Sequence, residues 1–437
     1  MGTQGENPQR VLAVGDSGSL GTIQWSPEGG RIAYSKTHQT LNNVDVTLWT
    51  SDLKGGQPTL ALSDPLLAYG GVMWPPNFSW LPGGRLIYAR LDPTSYAPGI
   101  SNLWEVPVDA RTGQSPGRPA QLTRWGGFQV QGLSSTADGK RLAFLKRLEE
   151  PCAYVGELEA GGTRLGPLRR LTFSDAVEVP WTFTADSKAV VVTSNRNGEL
   201  ELFKQPLEQE TAQSLVTESG GFMEAWLSPD GAWILYVAYP RVSSFPTIPL
   251  MRVPVNGGPP QQVLEGRNMV DFKCAFSPGT LCVVDEMSPD NASLSVTAFD
   301  PVKGRGRVLM RIPRDSAPAV WATPSPDGSR LASLKAGEAE GHIRLLALDG
   351  QVERDIRVKG WPGFNTLAWA PDGKAMYCGT VSGQDATLLR VDLNGNAQVL
   401  WQQKGAVLIF GEPSRDGRHL AIYAWMMDSN LWMVENF

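Results

Sequence analysis

Histidine is scarce in this sequence: there are three, His38, His342 and His419, in 437 residues. Metal centres and acid–base catalysis draw heavily on imidazole, and three rings in distant parts of the chain hardly supply a centre. Surface or turn positions are their expected places. Cysteine is nearly as sparse, with four residues and no Cys-x-x-Cys pair of the zinc or redox type. Charged residues make up only 19% and the net charge is -5, which removes the basic footprint of a nucleic-acid binder. No apolar run approaches about 20 residues, so no membrane insertion by this chain is expected. The opening residues Met1-Gly2-Thr3-Gln4-Gly5-Glu6-Asn7 show no basic segment leading into an apolar run, the mark of a secretory leader. What the chain holds in excess is glycine (47) and proline (33), alongside 15 tryptophans and 41% hydrophobic residues. That is too apolar for disorder. It indicates many short strands joined by tight turns.

One phrase recurs: an apolar strand, Ser-Pro-Asp-Gly or a variant, then a second apolar strand. Its copies are Trp25-Ser26-Pro27-Glu28-Gly29, Trp80-Leu81-Pro82-Gly83-Gly84, Thr136-Ala137-Asp138-Gly139, Thr184-Ala185-Asp186-Ser187 and Ser228-Pro229-Asp230-Gly231. The series continues with Ser277-Pro278-Gly279, Ser325-Pro326-Asp327-Gly328, Ala370-Pro371-Asp372-Gly373 and Ser414-Arg415-Asp416-Gly417. These nine copies have a mean spacing of about 48 residues, within the range of propeller blades. Serine or threonine suits the first position of a type I turn, proline presets the second and glycine favours the fourth. The aspartates therefore read as turn formers at one rim, not as a metal or acid array. Further strands follow each hairpin, such as Leu103–Val108, Leu202–Leu207 and Leu250–Val255. Short closing strands such as Gln121-Leu122-Thr123 and Gln398-Val399-Leu400 come next. Four antiparallel strands per repeat, arranged radially, make a β-propeller.

The ninth unit stops at Phe437 after its third strand, and Arg10-Val11-Leu12-Ala13-Val14 looks like an orphan fourth strand. The expected architecture is one all-β domain over residues 1–437, with nine blades and eight as the alternative. Residues 1–9 would form a disordered or appended leader and 10–15 a strand closing the ring on the last blade. The nine units would occupy about 16–437.

The phrase Trp-Ser-Pro-Asp-Gly-x-x-Ile-Ala-Tyr resembles the blade signature of TolB-like, WD-like propellers, although the Gly-His and Trp-Asp pairs of true WD repeats are missing. Ser101-Asn102-Leu103-Trp104-Glu105-Val106, Arg169-Arg170-Leu171-Thr172 and Phe299-Asp300-Pro301-Val302-Lys303-Gly304 have a narrower likeness, shared by the terminus Asp428–Phe437. They are similar to the C-terminal sensor propellers of acidobacterial membrane serine/threonine kinases and winged-helix regulators. The resemblance implies a bacterial sensor module, cut from a longer signalling protein and placed in the periplasm if that protein is membrane-bound.

Signals for catalysis are weak. Gly15-Asp16-Ser17-Gly18-Ser19 imitates a serine-protease nucleophile motif but reads as a loop, without the histidine and fold that chemistry needs. No Gly-x-Ser-x-Gly elbow, P-loop or dinucleotide-binding glycine pattern occurs. No catalytic residue, metal ligand or cofactor is assigned. Cys274 and Cys282 flank the Ser277 turn on neighbouring strands, where either a cross-strand disulfide or two buried thiols fits.

The binding candidates are loop aromatics at the starts of inner strands, Tyr69, Trp74, Trp125, Phe128, Trp181, Trp361 and Phe364. Tyr96, Tyr239 and Phe245 join them in long connections between second and third strands, as does Thr37-His38-Gln39-Thr40. Arg90 and Arg196 could add anion recognition. The leading expectation is a monomeric, non-catalytic module that binds a protein, peptide or saccharide. One alternative is a propeller enzyme, a lyase or glycan hydrolase, built on carboxylates at the channel mouth from Asp64, Asp175, Glu178, Glu224 and Asp271. A TolB-like protein-interaction scaffold is the other.

Overall fold

The computed structural model describes residues 10–13, 18–39, 44–54, 56–67, 76–92, 99–171, 176–217, 223–238, 247–290, 292–313, 320–335 and 338–437. It is all-β. Eight antiparallel sheets follow one another among the described residues, seven of them four-stranded, as in a propeller of about eight blades.

The sequence phrases end where the first two strands of each sheet meet, and their chemistry is visible atom by atom. Ser228 Oγ donates to Asp230 Oδ1 at 2.5 Å and accepts from Trp233 N–H at 3.0 Å. Ser325 and Ser414 repeat the pattern with Asp327 and Asp416, both at 2.6 Å, and Thr184 does so with Asp186 at 2.6 Å. These bonds help hold Asp186, Asp327 and Asp416 below the usual carboxylate range. In Asp186 and Asp327 the side-chain hydroxyl bond is the first cause. A further copy, Ser288-Pro289-Asp290, uses the same bonds between the second and third strands of its sheet.

Nine phrases give eight sheets because two hairpins share one. The turn at Thr136 leads into the 19-residue strand Arg141–Glu159, and the turn at Ser414 leads into the 17-residue strand His419–Glu435. These two long strands are hydrogen-bonded neighbours in a single six-stranded sheet. The expected nine blades are corrected to that extent. Of the expected closing strand, residues 10–15, the described part Arg10–Ala13 carries no strand and residues 14–15 lie outside the described residues; among the described residues the neighbours of His419–Glu435 are Ala406–Pro413 and Arg141–Glu159.

The chain divides into two compact units, one of residues up to Glu149 with Asp428–Phe437, the other of Glu150–Arg241 with Phe245–Met427. In the first unit, the sheets that begin at Gly18 and Phe78 pack around Leu48, Trp80, Leu86 and Tyr88. The second of these packs on Gln129–Ser135 and its partner through Leu81, Ile87, Leu142 and Phe144. In this unit the sheet begun by Gln129–Ser135 continues into residues 141–149 and then 428–435, three strands in all.

In the second unit, five four-stranded sheets begin with Glu178–Phe183, Met223–Leu227, Met269–Cys274, Val320–Pro324 and Phe364–Trp369. A sixth begins with Ala406–Pro413 and continues through residues 419–427, 150–159 and the short strands Arg164–Leu165 and Arg169–Arg170. Each sheet is bonded to the next. Thr193 Oγ1 donates to Met223 O at 2.7 Å, Trp226 Nε1 to Cys274 O at 3.0 Å and Ala322 N to Asp285 Oδ2 at 3.1 Å. Trp369 Nε1 donates to Thr323 O at 3.1 Å and Thr366 Oγ1 to Ile409 O at 2.8 Å. The sixth sheet returns to the first, where Phe410 stacks on Trp181 at 6.1 Å.

Cys274 and Cys282 sit opposite each other on adjacent strands and form a disulfide with Cα atoms 4.0 Å apart; the remaining cysteines, Cys152 and Cys378, are buried free thiols. The bridge closes a short loop over a sequence separation of 8, for which loop closure is worth about 2–3 kcal/mol. The Cys274→Ala/Cys282→Ala variant should lower the denaturant midpoint of the second unit accordingly. Reductant should do the same to the native chain and leave the variant unmoved.

Candidate functional site

The five aromatic candidates Tyr69, Trp74, Tyr96, Tyr239 and Phe245, and the carboxylate Asp175, lie outside the described residues. The other five aromatics are divided between the units. In the first unit, Trp125 stacks on Phe144 at 5.1 Å and leans on Phe128 at 5.4 Å. Its backbone N–H is fixed by Asn102 Oδ1 at 2.6 Å. The Lys146 ammonium lies 4.6 Å from the Phe128 ring centre and 4.5 Å from that of Trp432. Trp432 is half exposed, between Leu431 at 75% and Met433 at 54% exposure. Trp125, Phe128, Lys146 and Trp432 thus form a partly open apolar and cationic surface. In the second unit, Trp181 and Trp361 are half-buried packing residues, Trp181 bonding Thr193 Oγ1 through Nε1 at 2.8 Å. Phe364 is buried in the core.

The nominated carboxylates are held by their own neighbours. Asp64 accepts from Arg90 Nε at 2.7 Å and from Tyr88 Oη at 3.0 Å. Burial first, and then the Asp64 charge, raise the Tyr88 phenol well above its ordinary value. Arg90 stacks on Trp104 at 4.5 Å. Glu178 is buried and accepts from Arg196 Nη2 at 2.7 Å and from Ser194 Oγ at 3.2 Å. Both arginines that the sequence offered for anion recognition are thereby occupied by internal carboxylates.

Asp271 and Glu224 do come together, around a lysine that the sequence reading passed over. Lys273 Nζ is 3.4 Å from Asp271 Oδ2 and 5.4 Å from the centre of the Trp226 ring. Burial works against its ammonium, but Asp271, Glu412 and Glu224 together outweigh it and hold the pKa above the ordinary lysine value. These groups belong to strands that open three different sheets of the second unit. Glu412 is buried, and that burial, offset only in part by Lys273, pushes its carboxyl up to about 8. Asp285, directly opposite Asp271 across the strand pair, is raised well above the usual range by burial and then by the Asp271 charge. Its Oδ2 accepts from Ala322 N–H, while Oδ1 is buried without a hydrogen-bond partner.

At the turn end of the same strands, Arg415 replaces the usual proline or alanine of the phrase. Its Nη1 and Nη2 donate to Pro229 O at 2.9 Å and Ser228 O at 2.8 Å, and its guanidinium lies 5.5 Å from the Phe276 ring centre. Burial pushes its pKa down to about 10, with Asp230 opposing. Asp416 N–H adds a bond to Ser187 Oγ at 3.3 Å. Three turns are tied together by one side chain and its neighbour. Chemically this is a fixed ionic cluster with a cationic clasp beside it. Among the described residues no group of three or more His, Cys, Asp or Glu is placed to hold a metal ion, and no helix is long and apolar enough to cross a membrane.

The chain is structurally similar to TolB-like and prolyl-oligopeptidase propellers. A structure described as a TolB from Agrobacterium tumefaciens shares 15% identity over 64% of this chain and 99% of its own, with a TM-score of 0.48. An oligogalacturonate lyase in complex with manganese shares 15% over 66% of this chain and 76% of its own, at 0.39. A prolyl endopeptidase shares 14% over 93% of this chain and 54% of its own, at 0.37. Likenesses at this level assign no residue a role. No protein-family model matches the sequence, and no curated protein matches it.

The raised carboxyl of Glu412 makes a signed prediction. Its folded pKa of about 8 exceeds the ordinary 4.5 of a glutamate, so between those values the folded state holds a proton that the unfolded state has lost. Stability contributed by the neutral acid is complete below the unfolded pKa and disappears as pH rises through the folded one. The melting temperature should fall from pH 5 to pH 8. Glu412→Gln, which stays neutral, should flatten that fall and be the more stable protein at pH 8. Parallel pH curves for the two proteins would refute the assignment.

Proposed function

We propose that this chain is a non-catalytic binding propeller that engages a protein or peptide. The observation that supports the reading is the state of its carboxylates. Each described acid nominated for chemistry is engaged by a cation of its own unit: Asp64 by Arg90, Glu178 by Arg196, and Asp271, with Glu224 nearby, by Lys273. What remains presented to a partner is apolar and aromatic surface, with tryptophan as the most effective anchor type. The cyclic contacts of the second unit support a closed ring of six sheets, clasped by Arg415, as its rigid scaffold. The disulfide fits an oxidising compartment and hence an extracytoplasmic setting. The resemblance to sensor propellers fits the same picture, with an effector elsewhere on a longer polypeptide using the binding event.

A second reading rests on one specific feature. Glu412, its carboxyl pushed up to about 8, and Asp271 both act on Lys273, and a pair of carboxyl groups is the starting equipment of a glycan-cleaving site. Assays with aryl glycosides, polygalacturonate and peptide amides separate the two. The binding reading expects no turnover from the native chain above that of the Asp271→Asn variant. Turnover that falls about a hundredfold or more in Asp271→Asn would establish the enzyme instead.

A further inference from the structure

Gln261–Arg267 is the fourth strand of the sheet that begins with Met223–Leu227, and Gly304–Pro313 is the fourth strand of the next, which begins with Met269–Cys274. Between them, inside the second unit, lies a cavity of about 620 Å³, a size that suits a few residues of a peptide. Its walls are tied to each other. Arg305 grips both oxygens of Glu286, at 2.6 and 2.7 Å, and crosses to Glu265 O at 2.7 Å. Glu286 Oε1 also accepts from Arg267 N–H at 2.8 Å, so this carboxylate is spent inside the protein. The turn before Gly304 is anchored from the other sheet by Arg252 Nη1, which donates to Pro301 O at 2.8 Å. Gly304 has a φ of +88°, and a Cβ there would lie 2.9 Å from Val263 O, so glycine alone lets the turn come so close. The other charges of the walls are not spent. Arg267 and Lys303 are exposed and their side chains make no hydrogen bond or ion pair among the described residues; the Glu265 carboxylate makes none either. Arg305 uses three of its five donors in the bonds above. Two unpaired cations and the remaining guanidinium donors thus stand against one unpaired acid, beside the aliphatic Val263.

We infer that this cleft is a binding site for an acidic side chain of a partner peptide, its carboxylate received by Arg267, Lys303 and Arg305 and an aliphatic neighbour resting on Val263. This rests on the binding reading above and gives it a charged contact. Charge decides the occupant. A carboxylate matches the planar fork of arginine and pairs with cations that otherwise have only water. Glu265 sets the upper limit of that charge. Together with the net charge of -5 on the whole chain, it works against polyphosphates and other dense polyanions. The Arg305–Glu286 pair fixes its guanidinium before the ligand arrives, which lowers the ordering cost of binding.

The probe is a capped pentapeptide, valine-alanine-glutamate-valine-alanine, compared at low salt with its glutamine counterpart and with free glutarate. Calorimetry gives the affinity and NMR of the backbone amides gives the place. The glutamate peptide should bind saturably and shift the amides of residues 263–267 and 303–305. Its glutamine counterpart should bind about tenfold less tightly. Arg267→Gln and Lys303→Gln should each weaken the glutamate peptide about fivefold, with the melting temperature retained, because neither side chain has an internal partner to lose. Glu265→Gln should tighten it several-fold, which loss of a merely structural residue would not do. Added salt should weaken it. No shift at residues 263–267 and 303–305 at millimolar peptide overturns the inference. Shifts confined to other residues overturn it too, but leave the binding reading standing. Equal affinity for the glutamine peptide overturns the carboxylate as the recognised group. Glutarate binding as tightly as the peptide makes the ligand a free small acid and overturns the partner class. Turnover lost in Asp271→Asn, with cleft binding intact, overturns the non-catalytic reading alone.

Discussion

A serine or threonine hydroxyl shared between an aspartate two residues on and a backbone N–H five residues on governs how this chain folds. At Ser228, Ser325, Ser414, Thr136 and Thr184 it fixes where the first strand of a sheet stops and the second starts. Strand register follows, since a slip of one residue would turn each apolar face outward. The bond set tolerates variation at the residue after the hydroxyl, which no bond in the turn requires. That position is proline at 229 and 326, alanine at 137 and 185, and arginine at 415. In the last case the freedom is used: the guanidinium reaches two carbonyls of another turn.

This is why the repeat was so legible and the sheet count was not. The turn phrase reports each first hairpin reliably, because its side-chain bonds are local and the spacing of serine, aspartate and following apolar residue encodes them. Nothing in it says how long the second strand is. Arg141–Glu159 and His419–Glu435 run on far past the length of their counterparts. They pair with each other across nearly 300 residues of sequence, as the Arg141–Glu435 ion pair with its separation of 294 shows. A pairing of that range leaves no local signature. Ser288-Pro289-Asp290 shows the converse: the same local chemistry at a connection where the nine-copy series has no member.

The polar residues of the candidate site divide along the same line. Asp64, Glu178, Glu224 and Asp271 could be picked out as acids near strand starts, but Arg90 and Arg196 reach the first two from far along the chain, and Glu224 and Glu412 join the Asp271–Lys273 pair from other sheets. Lys273 was invisible as an organiser because an alternating strand with one lysine looks like any half-exposed strand. Glu412 reads as a surface acid before a turn, yet it is among the buried groups of the second unit. Arg415 was the one departure visible in the sequence itself, a charged residue at a place where eight other copies have none. The aromatics were harder still. Trp125 stacks on Phe144 and Trp181 on Phe410 of another sheet, and a tryptophan ahead of an apolar strand has the same sequence surroundings whether it meets a neighbouring sheet or a ligand.

The cluster follows from one constraint, that backbone and side-chain polar groups removed from water need partners. In the second unit, strands from several sheets bring Asp271, Glu224 and Glu412 around Lys273, while burial, offset only in part by that lysine, raises the carboxyls of Glu412 and Asp285. The cost of desolvation is then distributed over protons and hydrogen bonds instead of an exposed site.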